Sequence, residues 1–310
     1  MKYIGEIIEE SRRDTRNEDI PTSNEQVGIS TEDFLRYANF AQEKCFSVII
    51  AAKSTRFEVP KVIDLVVDQM EYDIEDNVYL GESVKNVEYS NSGLDRDYHE
   101  IREVSLSRRS DESGHVTNYI RHAGGLIFTP KNNVSGAKVR VVYDRMVDTL
   151  DLRRGTVTDR TISSTALTTL TLDTTTHDAD ALERAQYLCV NDAYGNVTMY
   201  NIPITSYDSA TGVVTLDSFT FDTGETCAVG SYVTVGEYTT THSKLNKICE
   251  KYIAQYMEYK IFRRDSSEDQ KAAKEDMRES IGEIAQAYAD NPRDECDIQI
   301  DNEALMLGED

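Results

Sequence analysis

No lysine occurs between Lys138 and Lys244, and threonine crowds the same stretch, as in Thr165-Ala166-Leu167-Thr168-Thr169-Leu170-Thr171. Threonine is β-branched and fits a strand better than a helix, so this middle region is pushed toward β structure. Extended segments follow in quick succession at 168–172, 187–191, 197–204, 212–216 and 227–235. Ala193-Tyr194-Gly195-Asn196 and Ser209-Ala210-Thr211-Gly212 supply turns between them. Short strands at this spacing predict a small all-β barrel or sandwich from Gly155 to Glu237. Its net charge is near −9, with Arg160 and Arg184 against eleven Asp or Glu.

Both flanks carry a helical period. Ile4, Ile7 and Ile8 mark a helix over 3–13, and a polar stretch with Pro21 follows as a loop. Ser30 and Asp33 resemble a capping box for a second helix, whose apolar stripe is Phe34, Tyr37, Ala38, Ala41, Cys45 and Val48. That helix should end before Lys53-Ser54-Thr55. From Val62 the period shortens. Val62-Ile63, Val66-Val67 and Tyr72-Asp73-Ile74 read as short extended pieces, and 116–121 and 126–129 as stronger strands joined by Ala123-Gly124-Gly125. Val139, Val141 and Tyr143 alternate in the next strand.

Helix returns at Ser243, with Leu245, Ile248, Tyr252, Tyr256 and Tyr259 on one face and Lys260, Arg263 and Arg264 at the end, where cations suit the helix dipole. Ser266 and Asp269 resemble a cap for a helix repeating Ala273, Met277, Ile281, Ile284 and Tyr288, stopped by Asn291-Pro292. Residues 243–290 thus predict an αα-hairpin. Residues 291–310 hold seven acidic residues against Arg293 and should stay extended or disordered until a partner orders them. The expected fold is α+β. A helical core is built from N-terminal helices and the C-terminal αα-hairpin, with a small antiparallel sheet and an inserted all-β barrel or sandwich. The expected division is 1–154 as the first part of that core, 155–237 as the insertion, 238–290 as the closing hairpin and 291–310 as an acidic docking tail.

Chemistry is sparse along the chain. The net charge of −23 opposes general binding to nucleic acid or to anionic membrane. Five cysteines, Cys45, Cys189, Cys227, Cys249 and Cys296, contain no C-x-x-C pair, which fits buried thiols in a reducing cytoplasm. The first residues turn acidic at once, unlike a signal peptide, and no run approaches the roughly 20 apolar residues of a membrane span. Phosphate-loop, dinucleotide, zinc-protease and EF-hand motifs are absent. His99, His115, His122, His177 and His242 show no ligand spacing, and His242 with Cys249 is a helical-phase coincidence rather than a dyad. Acidic pairs such as Glu9-Glu10 and Glu75-Asp76 read as solvated faces among 56 acidic residues. No catalytic residue, cofactor site or metal site is expected, and the chain is expected not to be an enzyme. Arg12, Arg13 and Arg16 form a short basic group that can serve an exposed helix end or pair with a neighbouring subunit.

One order of segments stands out. Asp68-Gln69-Met70-Glu71-Tyr72-Asp73-Ile74 precedes Asn118-Tyr119-Ile120, Gly125-Leu126-Ile127-Phe128-Thr129-Pro130 and Lys138-Val139-Arg140-Val141-Val142-Tyr143. This order resembles the head–tail connector adaptor (ring) proteins of short-tailed bacteriophages, including crAss-like phages. There an N-terminal helix pair precedes a G-Q-x-x-Y-D-L-P segment and a Y-Y-I…G-x-L-x-L-x-P…V-x-V-x-Y strand run, and C-terminal helices close the fold. Phe34 to Ala51 resembles the second family helix and Lys244 to Ala289 the closing helices; Asp68 stands where Gly is usual and Glu75 where Pro is usual.

The resemblance implies a virion protein at the head–tail vertex, assembled in the bacterial host cytoplasm. It implies a homo-oligomeric ring of about twelve copies below the portal protein, in contact with adjacent tail or ring proteins, through which genome DNA passes without specific binding during ejection. No membrane is involved. Candidate interface residues are Arg12, Arg13, Arg16, Tyr252, Tyr256, Arg263, Arg264, Asp294, Asp297 and Asp301. Two alternatives stay open: another tail or hub structural protein, and a virion-associated glycan hydrolase working through paired carboxylates.

Overall fold

A computed structural model describes residues 2–15, 29–52, 57–74, 78, 83–122, 125–163, 166–221, 226–265 and 268–289. The chain is mixed α+β, with five α-helices among the described residues, mainly antiparallel sheets and one closed six-stranded barrel. It divides into two compact units, one formed by Met1–Lys53 with Val147–Asp310, the other by Ser54–Met146. The barrel falls in the same unit as the helices, and the stretch that separates from them is the earlier one, 54–146.

Helix α1 (Ile4–Asp14) buries Ile4, Ile7, Ile8 and Ser11 along one stripe. Its first free N–H is met by backbone, since Ile4 N donates to Thr241 O at 3.0 Å. Helix α2 (Thr31–Ala51) starts at Ser30, whose hydroxyl accepts from Asp33 N at 3.1 Å and donates to the Asp33 carboxylate at 2.7 Å. Phe34, Ala38, Ala41, Cys45 and Val48 are buried, and Tyr37 is half-buried.

The second unit contains β1 (Glu58–Asp64), β2 (Glu71–Asp73), β3 (Val84–Ser90), β4 (His99–Glu100), β5 (Arg102–Glu103), β6 (Ser113–Gly114), β7 (Asn118–His122), β8 (Gly125–Thr129), β9 (Lys131–Asn132) and β10 (Lys138–Asp144). Two four-stranded sheets, ordered β1-β10-β3-β4 and β2-β8-β7-β5, enclose a common core. Val87, Tyr89, Val139, Val141 and Tyr143 come from the first sheet, and Tyr72, Tyr119, Leu126 and Phe128 from the second. Val66-Val67 is not extended as its composition suggests. It forms a turn, because the Tyr72 hydroxyl clamps the Val66 backbone, accepting from its N–H at 2.8 Å and donating to its carbonyl at 3.3 Å.

The chain then returns to the first unit through β11 (Thr149–Leu150) and enters the barrel: β12 (Gly155–Ser163), β13 (Ala166–Leu172), the short α3 (Ala179–Glu183), β14 (Tyr187–Asn191), β15 (Val197–Asp208), β16 (Val213–Thr220) and β17 (Tyr232–Val235). The strands close in the order β12-β13-β16-β15-β14-β17, each neighbour antiparallel. Period-two alternation explains the threonines: Leu167, Leu170 and Leu172 point into the barrel while Thr168, Thr169 and Thr171 lie half-exposed. A register shift between Leu167 and Thr169 resets the phase. Leu182 of α3 joins the same core.

After β18 (Thr239–Thr240), which pairs in parallel with β11, come α4 (Lys247–Arg264) and α5 (Gln270–Ala289). Helix α4 packs against α1, α2 and α5. That central position explains why burial is not confined to the tyrosine stripe: Cys249, Ile253, Met257 and Ile261 are buried with Tyr252, Tyr256 and Tyr259.

Candidate assembly surfaces

The segment 148–154 fastens the barrel to the helices. Asn39 of α2 brackets Leu150, accepting from its N–H at 2.7 Å and donating to its carbonyl at 2.9 Å. Gln42 donates to Asp148 O at 2.9 Å, and the Asp148 carboxylate accepts from the Tyr200 hydroxyl of β15 at 2.8 Å. The Arg153 guanidinium lies over two rings, 4.3 Å from the centroid of Tyr3 and 4.0 Å from that of Tyr232, a cation–π sandwich between the N-terminus and β17.

Arg154 is the centre of this junction. Its guanidinium reaches Asp151 at 2.6 Å, Glu32 at the start of α2 at 2.7 Å, and Asp178, the cap of α3, at 2.7 Å. Burial works against its charge, and Glu32, Asp151 and Asp178 hold it protonated. Burial likewise raises the Asp151 carboxyl above its ordinary value, while the Arg154 hydrogen bonds pull against that shift. Asp151 also accepts from Val235 N of β17 at 2.8 Å. One cation thus binds three segments of the first unit.

The sequence-derived candidates land in different places. Arg13, Arg263 and Arg264 are exposed. Arg12 is half-buried and held inside the chain: it donates to Thr31 at 2.5 Å and Glu9 at 3.0 Å, and lies 5.2 Å from the Phe34 ring centroid. Tyr252 and Tyr256 are 0% and 4% exposed, so both rings sit in the helical core and offer no surface to a second chain. Their centroids are 6.1 Å apart on successive turns of α4. Arg16, Asp294, Asp297 and Asp301 lie outside the described residues. Sequence reading missed the Arg154 junction, although Arg153-Arg154 just before a cation-poor barrel was a usable signal.

Glu258 of α4 adds a pH-sensitive element. Burial first, then the carboxylates Asp14 of α1 and Asp276 of α5, push its carboxyl up to about 7. A carboxyl raised in the folded state favours folding while protonated, and that stability is lost as pH rises through about 7. Glu258→Gln is therefore expected to stabilise the chain by about 1 kcal/mol above pH 8, after allowance for solvent screening, with no difference near pH 4. Thermal melts of both proteins across that range check it; a constant offset at every pH would refute the assignment.

The His242 ring bonds Thr241 at 2.8 Å and lies 5.9 Å from the Tyr3 ring. Cys249 is buried beside Cys45 where α4 meets α2. Among the described residues no group of three or more His, Cys, Asp or Glu is placed to hold a metal ion, and no helix is long and apolar enough to cross a membrane. Comparison with protein-family models and with curated proteins finds no match to this chain.

Proposed function

We propose that the protein is a non-enzymatic structural component of a bacteriophage virion, an adaptor that forms a ring below the portal and lines a conduit for the genome. The observation that carries this reading is the helical body assembled from both ends of the chain, in which α4 packs against α1, α2 and α5. This is the arrangement expected of an adaptor wedge, with the barrel as an appended contact module and residues 291–310 as a docking segment. The segment order from Asp68 to Tyr143 supports the same family resemblance. The net charge of −23 fits a conduit, because a lumen lined by carboxylates repels DNA phosphates and lets the genome slide.

Mass photometry and negative-stain imaging of the purified chain, with and without its cognate portal protein, test the reading. Closed rings that bind the portal are the expected result. A chain that remains monomeric with portal present would overturn it.

A further inference from the structure

Among the described residues strand β1 is an open sheet edge, and its backbone geometry says which groups are on offer. In an antiparallel pair, residues that exchange both backbone hydrogen bonds alternate with residues whose N–H and C=O point away. At the two ends of the β1–β10 ladder, Arg145 N donates to Phe57 O and Leu65 N donates to Ala137 O, both at 2.9 Å. With the register Glu58↔Asp144 to Asp64↔Lys138, the odd-numbered residues of β1 are the bonded ones. Glu58, Pro60, Val62 and Asp64 therefore aim their backbone groups outward, where no backbone partner meets them among the described residues.

The edge is also apolar where edges usually are not. Val62 is 49% exposed, and the turn that follows holds Val66 at 56% and Val67 at 44%. That turn is built rather than frayed. Besides the Tyr72 clamp, Asp68 takes a left-handed backbone (φ 66°), its N–H donates to Asn132 O at 2.8 Å, and its carboxylate accepts from Ser113 at 2.8 Å. Turn tips favour Gly, Asn, Asp, Ser and Pro, and sheet edges are commonly blunted by bulges. Here the β1–β10 ladder runs without a register shift, and one outward donor is removed by Pro60.

The chain itself contains a segment that fits. Residues 296–301 read Cys-Asp-Ile-Gln-Ile-Asp, which places Ile298 and Ile300 on one side of a strand and Asp297, Gln299 and Asp301 on the other. Helix α5 ends at Ala289, so residues 290–297 precede Ile298, a reach of up to about 27 Å if extended. Charge opposes that destination least. Ser54–Met146 carries 12 Lys or Arg against 16 Asp or Glu, whereas the rest of the chain carries 21 against 40. An acidic tail is repelled least by the unit that contains β1.

We propose that residues 296–301 of one copy add as a strand to the open edge of β1 in a second copy. Ile298 and Ile300 lie beside Pro60 and Val62 on the exposed face, and the acidic residues run along the face of Val59, Lys61 and Ile63. Such a contact joins two different surfaces, so it propagates from copy to copy and closes into a ring when the rotation permits. It does not depend on the adaptor reading, since it requires no portal.

The test uses the full chain with a disarmed tail, Ile298→Asp/Ile300→Asp, and a fluorescent peptide of residues 292–304. Saturable binding by fluorescence anisotropy is expected, with the amides of Glu58, Val62 and Asp64 exchanging at least about tenfold more slowly when peptide is present. Adding Val62→Lys to the disarmed chain should weaken binding at least about tenfold. The unaltered chain should self-associate with concentration while the disarmed one stays monomeric. A peptide carrying the two aspartates should not bind, a control independent of how any protein variant folds. Absence of binding, equal binding of the altered peptide, or protection elsewhere than β1 would overturn the proposal. So would an unaltered chain that stays monomeric with β1 already protected.

Discussion

Replacing Arg154 with methionine is expected to destabilise the unit formed by Met1–Lys53 and Val147–Asp310 by about 3–5 kcal/mol. The side chains of Arg154 and Asp151 are 8% and 7% exposed, so loss of the cation strands a carboxylate away from water. Glu32 and Asp178 keep more contact with solvent and lose less. Urea unfolding followed by circular dichroism measures the change. Adding Asp151→Asn to the Arg154→Met chain should recover a large part of it, because the cost comes from an uncompensated charge rather than from lost packing. A single-variant loss below about 1 kcal/mol would show that the junction is not where the barrel is secured.

Gly195→Ala is the second large effect expected, on the order of 2–4 kcal/mol. Gly195 sits in the turn between β14 and β15 at φ +79°, a conformation that costs an L-residue about 1 kcal/mol. A Cβ there would also overlap the His242 ring and approach His242 Cβ to 2.6 Å. Gly230 provides the control: it has φ +89°, but an added Cβ meets nothing within 4 Å. Gly230→Ala should therefore cost only the backbone strain, about 1 kcal/mol. Thermal unfolding of the two variants separates the terms, and equal losses would mean that the turn does not press on His242. His242→Ala removes the ring atoms but keeps the Cβ at 2.6 Å, so it should relieve Gly195→Ala only in part.

What could be read from the sequence follows from how far each interaction reaches. Barrel strands with one buried face announced themselves, and 187–191 coincides with β14. Strand β12 was missed because residues 158–163 are exposed on both faces, so nothing alternates. Strand β3 was missed for a related reason: Val84, Val87 and Tyr89 are buried out of strict alternation, and the pairing shifts register near Tyr143. The tyrosine stripe of α4 was visible, but periodicity alone cannot tell a core stripe from a contact surface. Only the placement of α1, α2 and α5 around it decides for the core. Arg153-Arg154 marked a place for the Arg154 junction but not its partners, two of which stand 122 and 24 residues away in sequence. Backbone edges such as β1 leave no trace in composition, since main-chain groups are the same at every residue apart from proline.

The division of the chain also sets an order of events during synthesis. Ser54–Met146 is continuous and can complete its core as soon as it leaves the ribosome, while Met1–Lys53 belongs to a unit whose remainder begins at Val147. Helices α1 and α2 emerge first, yet α4, the helix that covers them, ends only at Arg264. At roughly 5–20 residues per second, the apolar stripes of α1 and α2 wait on the order of 10–40 s for their partner. The nascent chain thus passes through a stage in which Ser54–Met146 is complete while the apolar stripes of α1 and α2 still await α4.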